Sequence, residues 1–296
     1  MKIIQQRTVW FSISGGLILA SIAFLVIFGL NLGIDFTGGS LLEVEYAQDR
    51  ADITDIRTAV ETAGFTSGQV QPSNERGLLV RQPPLTEDQH QVLMGTLLTF
   101  GELDELRFDS IGPVIGQELK QKSLWALVLI FVAIVAYVAW SFRKVGSKVK
   151  SWKYGFLTIV AALHDVLIAL GVAALLGHFM DFSIGTAFVA ALLTILGYSV
   201  NDTIVVFDRI RENLMKDHHT FEAVVDQSVN ETIARSINTS LTTLLALFAV
   251  YLFGGETTKD FALILMVGIF VGAYSSIFIA SPLLVTWQKW MDRKRS

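Results

Sequence analysis

Six stretches of this chain, roughly residues 9–30, 123–141, 156–176, 184–207, 237–253 and 261–286, are apolar and almost free of charge. Each is long enough to cross a hydrocarbon layer of about 30 Å. Lipid offers no water to satisfy backbone amides, and the strict apolar alternation of a membrane strand is missing, so the stretches are predicted to be helices. Composition points the same way: 52% of the 296 residues are apolar and 17% charged, with a mean hydropathy of +0.53. A soluble enzyme is thereby largely excluded. Cysteine is absent, which excludes disulfides, thiol nucleophiles and cysteine-ligated metals. The first stretch is too long for the core of a secretory signal and no small-residue cleavage pattern follows it, so it is read as an uncleaved span.

Lys and Arg in short loops favour the cytoplasm. Lys2 and Arg7 precede span one, Arg143, Lys144, Lys148, Lys150 and Lys153 join spans two and three, and Lys289, Arg293, Lys294 and Arg295 follow span six. The opposite loops hold only Lys259, so both termini are expected inside and residues 32–122 outside. The predicted division is residues 1–31 as the N-terminus and first span, 32–122 as an extracytoplasmic domain, and 123–296 as the remaining spans with a basic tail. Residues 31–122 carry fifteen acidic and seven basic side chains, a balance unlike the rest of the chain.

Within the external segment, Leu41, Leu42, Val44 and Tyr46 read as a strand. Residues 52–63 place Ile53, Ile56, Ala59, Val60 and Ala63 at helical spacing before Gly64. Residues 67–71 and 77–82 flank a turn at Ser73–Arg76, Thr86 is placed to cap a helix running to about 99, and 105–111 is a last strand. The βαββαβ order predicts a small ferredoxin-like α+β domain, two helices covering one face of a four-stranded antiparallel sheet. Between spans four and five, Phe221, Val225, Val229 and Ile233 recur every fourth residue. They predict an amphipathic helix over about 219–235, either lying on the cytoplasmic surface or packed under the bundle.

A charge inside a span costs something like 2.5–3.5 kcal/mol on insertion scales and needs an explanation. Asp202, near the end of span four, is the sharpest case: either a protonatable site or one end of a permanent salt bridge. Asn201 beside it is read as hydrogen-bonding support. Arg235, where the amphipathic segment meets span five, is the candidate partner, or else an interfacial anchor. The run Ser236, Asn238, Thr239, Ser240, Thr242, Thr243 that follows is polar for a membrane helix, a hydrated path or packing glue. His164 and Asp165 sit mid-way along span three, where Asp165 is a candidate relay partner of Asp202. Gly268 and Gly272 form a GxxxG read as a close helix contact. The glycines of Gly33–Gly39, among them Gly38, permit a tight exit from the membrane around Asp35 and Phe36. No GxxxxGK[ST], HExxH or GxSxG occurs and no metal-ligand spacing is present, so ATP hydrolysis, zinc proteolysis and serine hydrolysis lack their signatures. The energy source is then external, and a proton gradient fits Asp202.

Several strings together resemble the SecF side of the bacterial SecD/SecF family: Gly33–Gly39, Phe108–Pro113, Ser199–Asn213, Arg235–Ser240 and Tyr251–Gly255. The resemblance runs through nearly the whole chain. It implies a six-helix α-helical polytopic membrane protein, one half of a pseudosymmetric assembly related to the resistance-nodulation-division transporters, with a SecD half completing it. It also implies a role, not enzymatic, in proton-driven promotion and release of preproteins at the SecYEG channel, with YajC and YidC as further partners. Protons are then the coupling ion, with no other cofactor and no nucleic-acid partner. The charged positions it implicates match Asp202 and Arg235, and a further aspartate comes from SecD. Rival readings are a proton-coupled small-molecule or lipid exporter half and a passive assembly subunit.

Overall fold

A computed structural model describes residues 2–141, 151–180, 182–216 and 219–294. Arg143, Lys144, Lys148, Lys150 and Arg295, part of the expected cytoplasmic charge, lie outside the described residues. The chain divides into two compact units, Leu32–Trp125 and the remainder, Met1–Asn31 with Ala126–Ser296.

Among the described residues, six helical segments are long and apolar enough to cross a membrane, five within the larger unit and one, α5, beginning in the smaller. They are α1 (Arg7–Ile27, preceded by a 3₁₀ turn at Ile4–Gln6), α5 (Pro113–Ser141), α6 (Ser151–Phe179), α7 (Thr186–Lys216), α8 (Phe221–Phe253) and a compound sixth span. That last span is α9 (Glu256–Ser275), one π-helical turn (Ser276–Ala280) and α10 (Ser281–Arg293). Pro282, at the start of α10, has no N–H to continue the ladder, and the Ser281 hydroxyl instead donates to the carbonyl of Ser276 at 3.2 Å. Spans three, four and six form the buried centre, where Ala161, Ala162, Leu196, Val200, Phe207 and Ile277 are nearly inaccessible. Leu19, Val26, Leu129, Val132, Leu245 and Phe248 on α1, α5 and α8 stay exposed, as residues facing lipid or a partner do.

The separate amphipathic helix expected before span five does not exist as such. Its residues are the first turns of α8, whose 33 residues contain no glycine or proline to interrupt them. Val224, Val225 and Val229 are buried with Ile210, Leu214, Leu284 and Val285, so this segment packs on its neighbours rather than lying on a surface. Arg7 holds Glu222 at 2.8 Å, Lys289 reaches the same carboxylate, and the Ile4 amide donates to Asp226.

The smaller unit is built from α2 (Ile34–Thr37), β1 (Gly39–Tyr46), α3 (Ile53–Thr62), β2 (Gln69–Pro72), β3 (Gly77–Gln82), α4 (Glu87–Leu98) and β4 (Leu103–Ile111). Its sheet order is β2-β3-β1-β4 with every neighbour antiparallel, the ferredoxin-like arrangement. Leu42, Val44 and Tyr46 alternate inward with Leu78 and Val80 to meet Ile56, Val60, Leu93 and Leu97 of the two helices. Asp52 caps α3 through the Thr54 amide at 2.8 Å, and Thr86 with Gln89 forms a capping box on α4. Gly38 and Gly39 take φ of 74° and 142° at the turn from α2 into β1. A Cβ on Gly38 would stand 2.9 Å from Pro113 and one on Gly39 2.9 Å from the Gln82 carbonyl, so the Gly33–Gly39 motif is a packing device. Phe36 is buried there, and Asp35 occupies the first turn of α2 behind Gly33.

Candidate functional site

Asp202 stands on the inward face of α7 because Val200, Thr203, Val206 and Phe207 around it are themselves buried, which fixes the rotation of the helix. It is 9% exposed. Its Oδ1 accepts from Ser236 of α8 at 2.7 Å, while Oδ2 is buried with no hydrogen-bond partner. Half of the carboxyl is thus satisfied, a costly state for an anion in a low-dielectric core and one that a proton on Oδ2 relieves.

Arg235 is exposed and makes no ion pair with Asp202, although its field reaches the carboxyl through space. Span five presents Ser236 to Asp202 instead, one residue on from the partner expected. Asn201 is likewise exposed, so the hydrogen-bonding support expected of it comes from Ser236. The polar run of α8 divides by face: Ser236 and Ser240 turn inward, whereas Arg235, Asn238, Thr239 and Thr242 are exposed. Adjacent helical positions diverge by about 100°, which is why neighbours in sequence part company here.

Asp165 forms a second buried centre, fully inaccessible on α6. Its Oδ1 accepts from His164 Nδ1 at 2.8 Å, and its Oδ2 accepts from Ser199 of α7 at 2.5 Å and Ser275 of α9 at 2.7 Å. Although the helix directs successive side chains apart, the imidazole bends back to its neighbour's carboxylate. The other ring nitrogen, Nε2, stands 3.0 Å from the Ser14 hydroxyl of α1. Four spans therefore converge on one histidine–aspartate pair. No metal-ligating cluster is present among the described residues.

Gly272 makes room for this convergence: a Cβ there would lie 3.2 Å from Ser199 Cβ and 3.6 Å from Asp165 Oδ2. A Cβ on Gly268, one turn away, would collide with the Ile195 side chain. The GxxxG is the seam between spans four and six. Thr203 and Ser276 bridge the same two spans at 3.0 Å, next to Asp202 in sequence and at the start of the π-helical turn. Sequence reasoning missed Ser14, Ser199 and Ser275, and took Ser236 only as one member of a polar run. A lone serine in an apolar helix carries too little pattern to single it out.

The family model for the C-terminal part of the protein export membrane proteins SecD/SecF matches residues 95–290, and that for the SecD/SecF GG motif matches residues 23–49. The chain belongs to the SecD/SecF family. Among its relatives, the protein translocase subunit SecF of Thermobaculum terrenum is 40% identical, with 97% of this chain and 94% of that one covered. SecF of Anaerolinea thermophila is 39% identical over the same shares. The crystal structure of SecDF from Thermus thermophilus superposes with a TM-score of 0.86 at 34% identity, covering 98% of this chain and 39% of that longer one. As a SecD/SecF member the chain is a multi-pass membrane protein with an accessory role in protein export. The fused SecDF relative supports a SecD half as its partner in the complex.

Proposed function

We propose that the chain is the SecF half of a proton-driven export accessory complex, in which loading and unloading of a proton on Asp202 shifts spans four and five against one another. The observation that carries this is the state of Asp202: buried, held on one side by Ser236, empty on the other, with no cation within ion-pair distance among the described residues. A permanent salt bridge has no second member here. A proton on Oδ2 neutralises the carboxyl, and its loss leaves a charge that attracts Arg235 on the same helix as Ser236. One charge moved through 100 mV supplies about 2.3 kcal/mol, enough to repopulate two helix arrangements appreciably.

The exposed polar face of α7 and α8, with Asn201, Arg235, Asn238 and Thr242, is unsuited to lipid and is where the SecD half seats, contributing a further acidic group. Asp165 acts in the relay as a second, fixed negative charge whose field bears on Asp202. Both termini are cytoplasmic and residues 32–122 face outside, where that domain biases a preprotein leaving SecYEG, with YajC and YidC as neighbours. The test is gradient-stimulated export of a preprotein into membrane vesicles carrying Asp202→Asn. Stimulation should disappear while ATP-driven export by the rest of the machinery continues. A passive assembly role predicts instead that replacing Asp202 and Arg235 together by packed apolar residues retains full export.

A further inference from the structure

We infer that His164 is a second proton-binding site of the membrane unit, separate from Asp202 and built to hold its imidazole in either charge state without moving a heavy atom. The inference goes beyond the coupling role of Asp202 and does not depend on it.

Both ring nitrogens are placed. Nδ1 donates to Asp165 Oδ1 at 2.8 Å, and that carboxylate is kept as an acceptor by two further hydroxyl donors, Ser199 and Ser275. Nδ1 therefore carries its proton in both states. Nε2 faces Ser14 Oγ at 3.0 Å, and Ser14 Oγ is 3.4 Å from the Tyr274 hydroxyl, which donates to the Trp10 carbonyl at 3.1 Å. In the neutral ring, Ser14 donates its hydrogen to Nε2. When a proton is added at Nε2, that nitrogen donates to Ser14 Oγ, and Ser14 turns its own hydrogen to Tyr274. No covalent bond other than the new N–H changes, and every group keeps a partner.

A histidine retained only to join helices needs one of these arrangements; the Ser14–Tyr274–Trp10 chain supplies the second. Nothing else nearby takes over that task. Apart from Ser14 and His164 themselves, the groove of about 400 Å³ beside the ring is lined by residues such as Phe11, Ile18, Leu163, Leu167 and Leu283, which offer no hydrogen-bonding side chain. The titratable and charged groups facing the pair are few. Span six brings Tyr274, and α7 brings Asp202, whose field couples to Asp165, with its other charges lying from Asp208 onward. The one charged residue of α1, Arg7, is held by Glu222. Asp165 is thus the counter-charge for the imidazolium, and its ties to Ser199 and Ser275 place both protonation states in contact with α7 and with the residue that precedes the π-helical turn.

The test is ¹⁵N NMR of histidine-labelled full chain in lipid nanodiscs, with the His164 signals identified by their loss in His164→Gln. Nε2 should gain a proton as the pH is lowered through the range over which the chain stays folded, while Nδ1 stays protonated throughout. Ser14→Ala should lower the imidazolium-to-imidazole ratio about tenfold at fixed pH, because the charged ring loses its acceptor. Tyr274→Phe should lower it by less, since it removes only the charged-state partner of Ser14. An Nε2 that stays unprotonated across the whole range overturns the proposal, as does a ratio unchanged in both variants. A titration that persists in Asp202→Asn supports a separate site; one that vanishes there overturns it.

Discussion

On the proposed reading, Asp202 and Ser236 need little else from the protein to make a carboxyl switchable. One hydroxyl fixes the orientation of the group, and the other oxygen, which makes no hydrogen bond among the described residues, is the place the proposal gives to a proton. Ser236→Ala should leave the fold intact and weaken coupling without abolishing it, read as a several-fold drop in gradient-stimulated export, because the carboxyl then loses its bond across to span five. That Asp202 sits inside a span and needs an explanation was legible in the sequence, because a charge in an apolar run is rare and costly. Its true hydrogen-bonding partner was not. Arg235 attracts attention by its charge, yet helical rotation points it outward and turns the inconspicuous Ser236 inward. The same blindness applied to His164 and Asp165, whose shared hydrogen bond depends on side-chain torsions that spacing does not record.

At the level of elements, spans four and six are joined along Gly268, Gly272, Ile195 and Ser199. Gly268→Leu should force the helices apart and destabilise the membrane unit by about 1–3 kcal/mol, seen as a lower melting temperature in detergent. In the smaller unit, Tyr46 is 2% exposed, donates to the Leu97 carbonyl at 3.2 Å, and has its phenol pushed up to about 12 by burial. A hydroxyl that holds its proton more tightly when folded stabilises fully below its unfolded value near 10, and that stabilisation is lost as pH rises toward 12. The melting temperature of the α/β unit should therefore fall over that alkaline window, and Tyr46→Phe should remove this component of the fall. Element types were readable here: the cap at Thr86, alternation in β1 and the turn at Ser73–Arg76 all lie where the residues indicated, whereas the cap at Asp52 emerged only from the structure. The junction in α8 was misread because a change of period, from an amphipathic stripe to a wholly apolar run, resembles a boundary. The uninterrupted absence of glycine and proline from Phe221 to Phe253 was the signal that no boundary exists.

For the whole molecule, the account places a ferredoxin-like unit outside the membrane and both termini inside. Because the chain contains no cysteine, single cysteines report on this cleanly. A cysteine at Ser73 should react with a membrane-impermeant maleimide added to intact spheroplasts, whereas one at Lys294 should react only after permeabilisation. Equal labelling from outside would reverse the orientation. What the sequence of one chain leaves out is the surface of its partner: the exposed polar side chains of α8 read as a hydrated path or as packing glue until a second half is considered. The central claim is that hydrogen ions cross the complex by way of Asp202. Its most direct measurement is proton uptake by proteoliposomes containing the chain with its SecD half, compared with the same vesicles carrying Asp202→Asn, under an imposed pH gradient. The account predicts gradient-driven uptake in the first and none above the lipid leak in the second; equal uptake in both contradicts it.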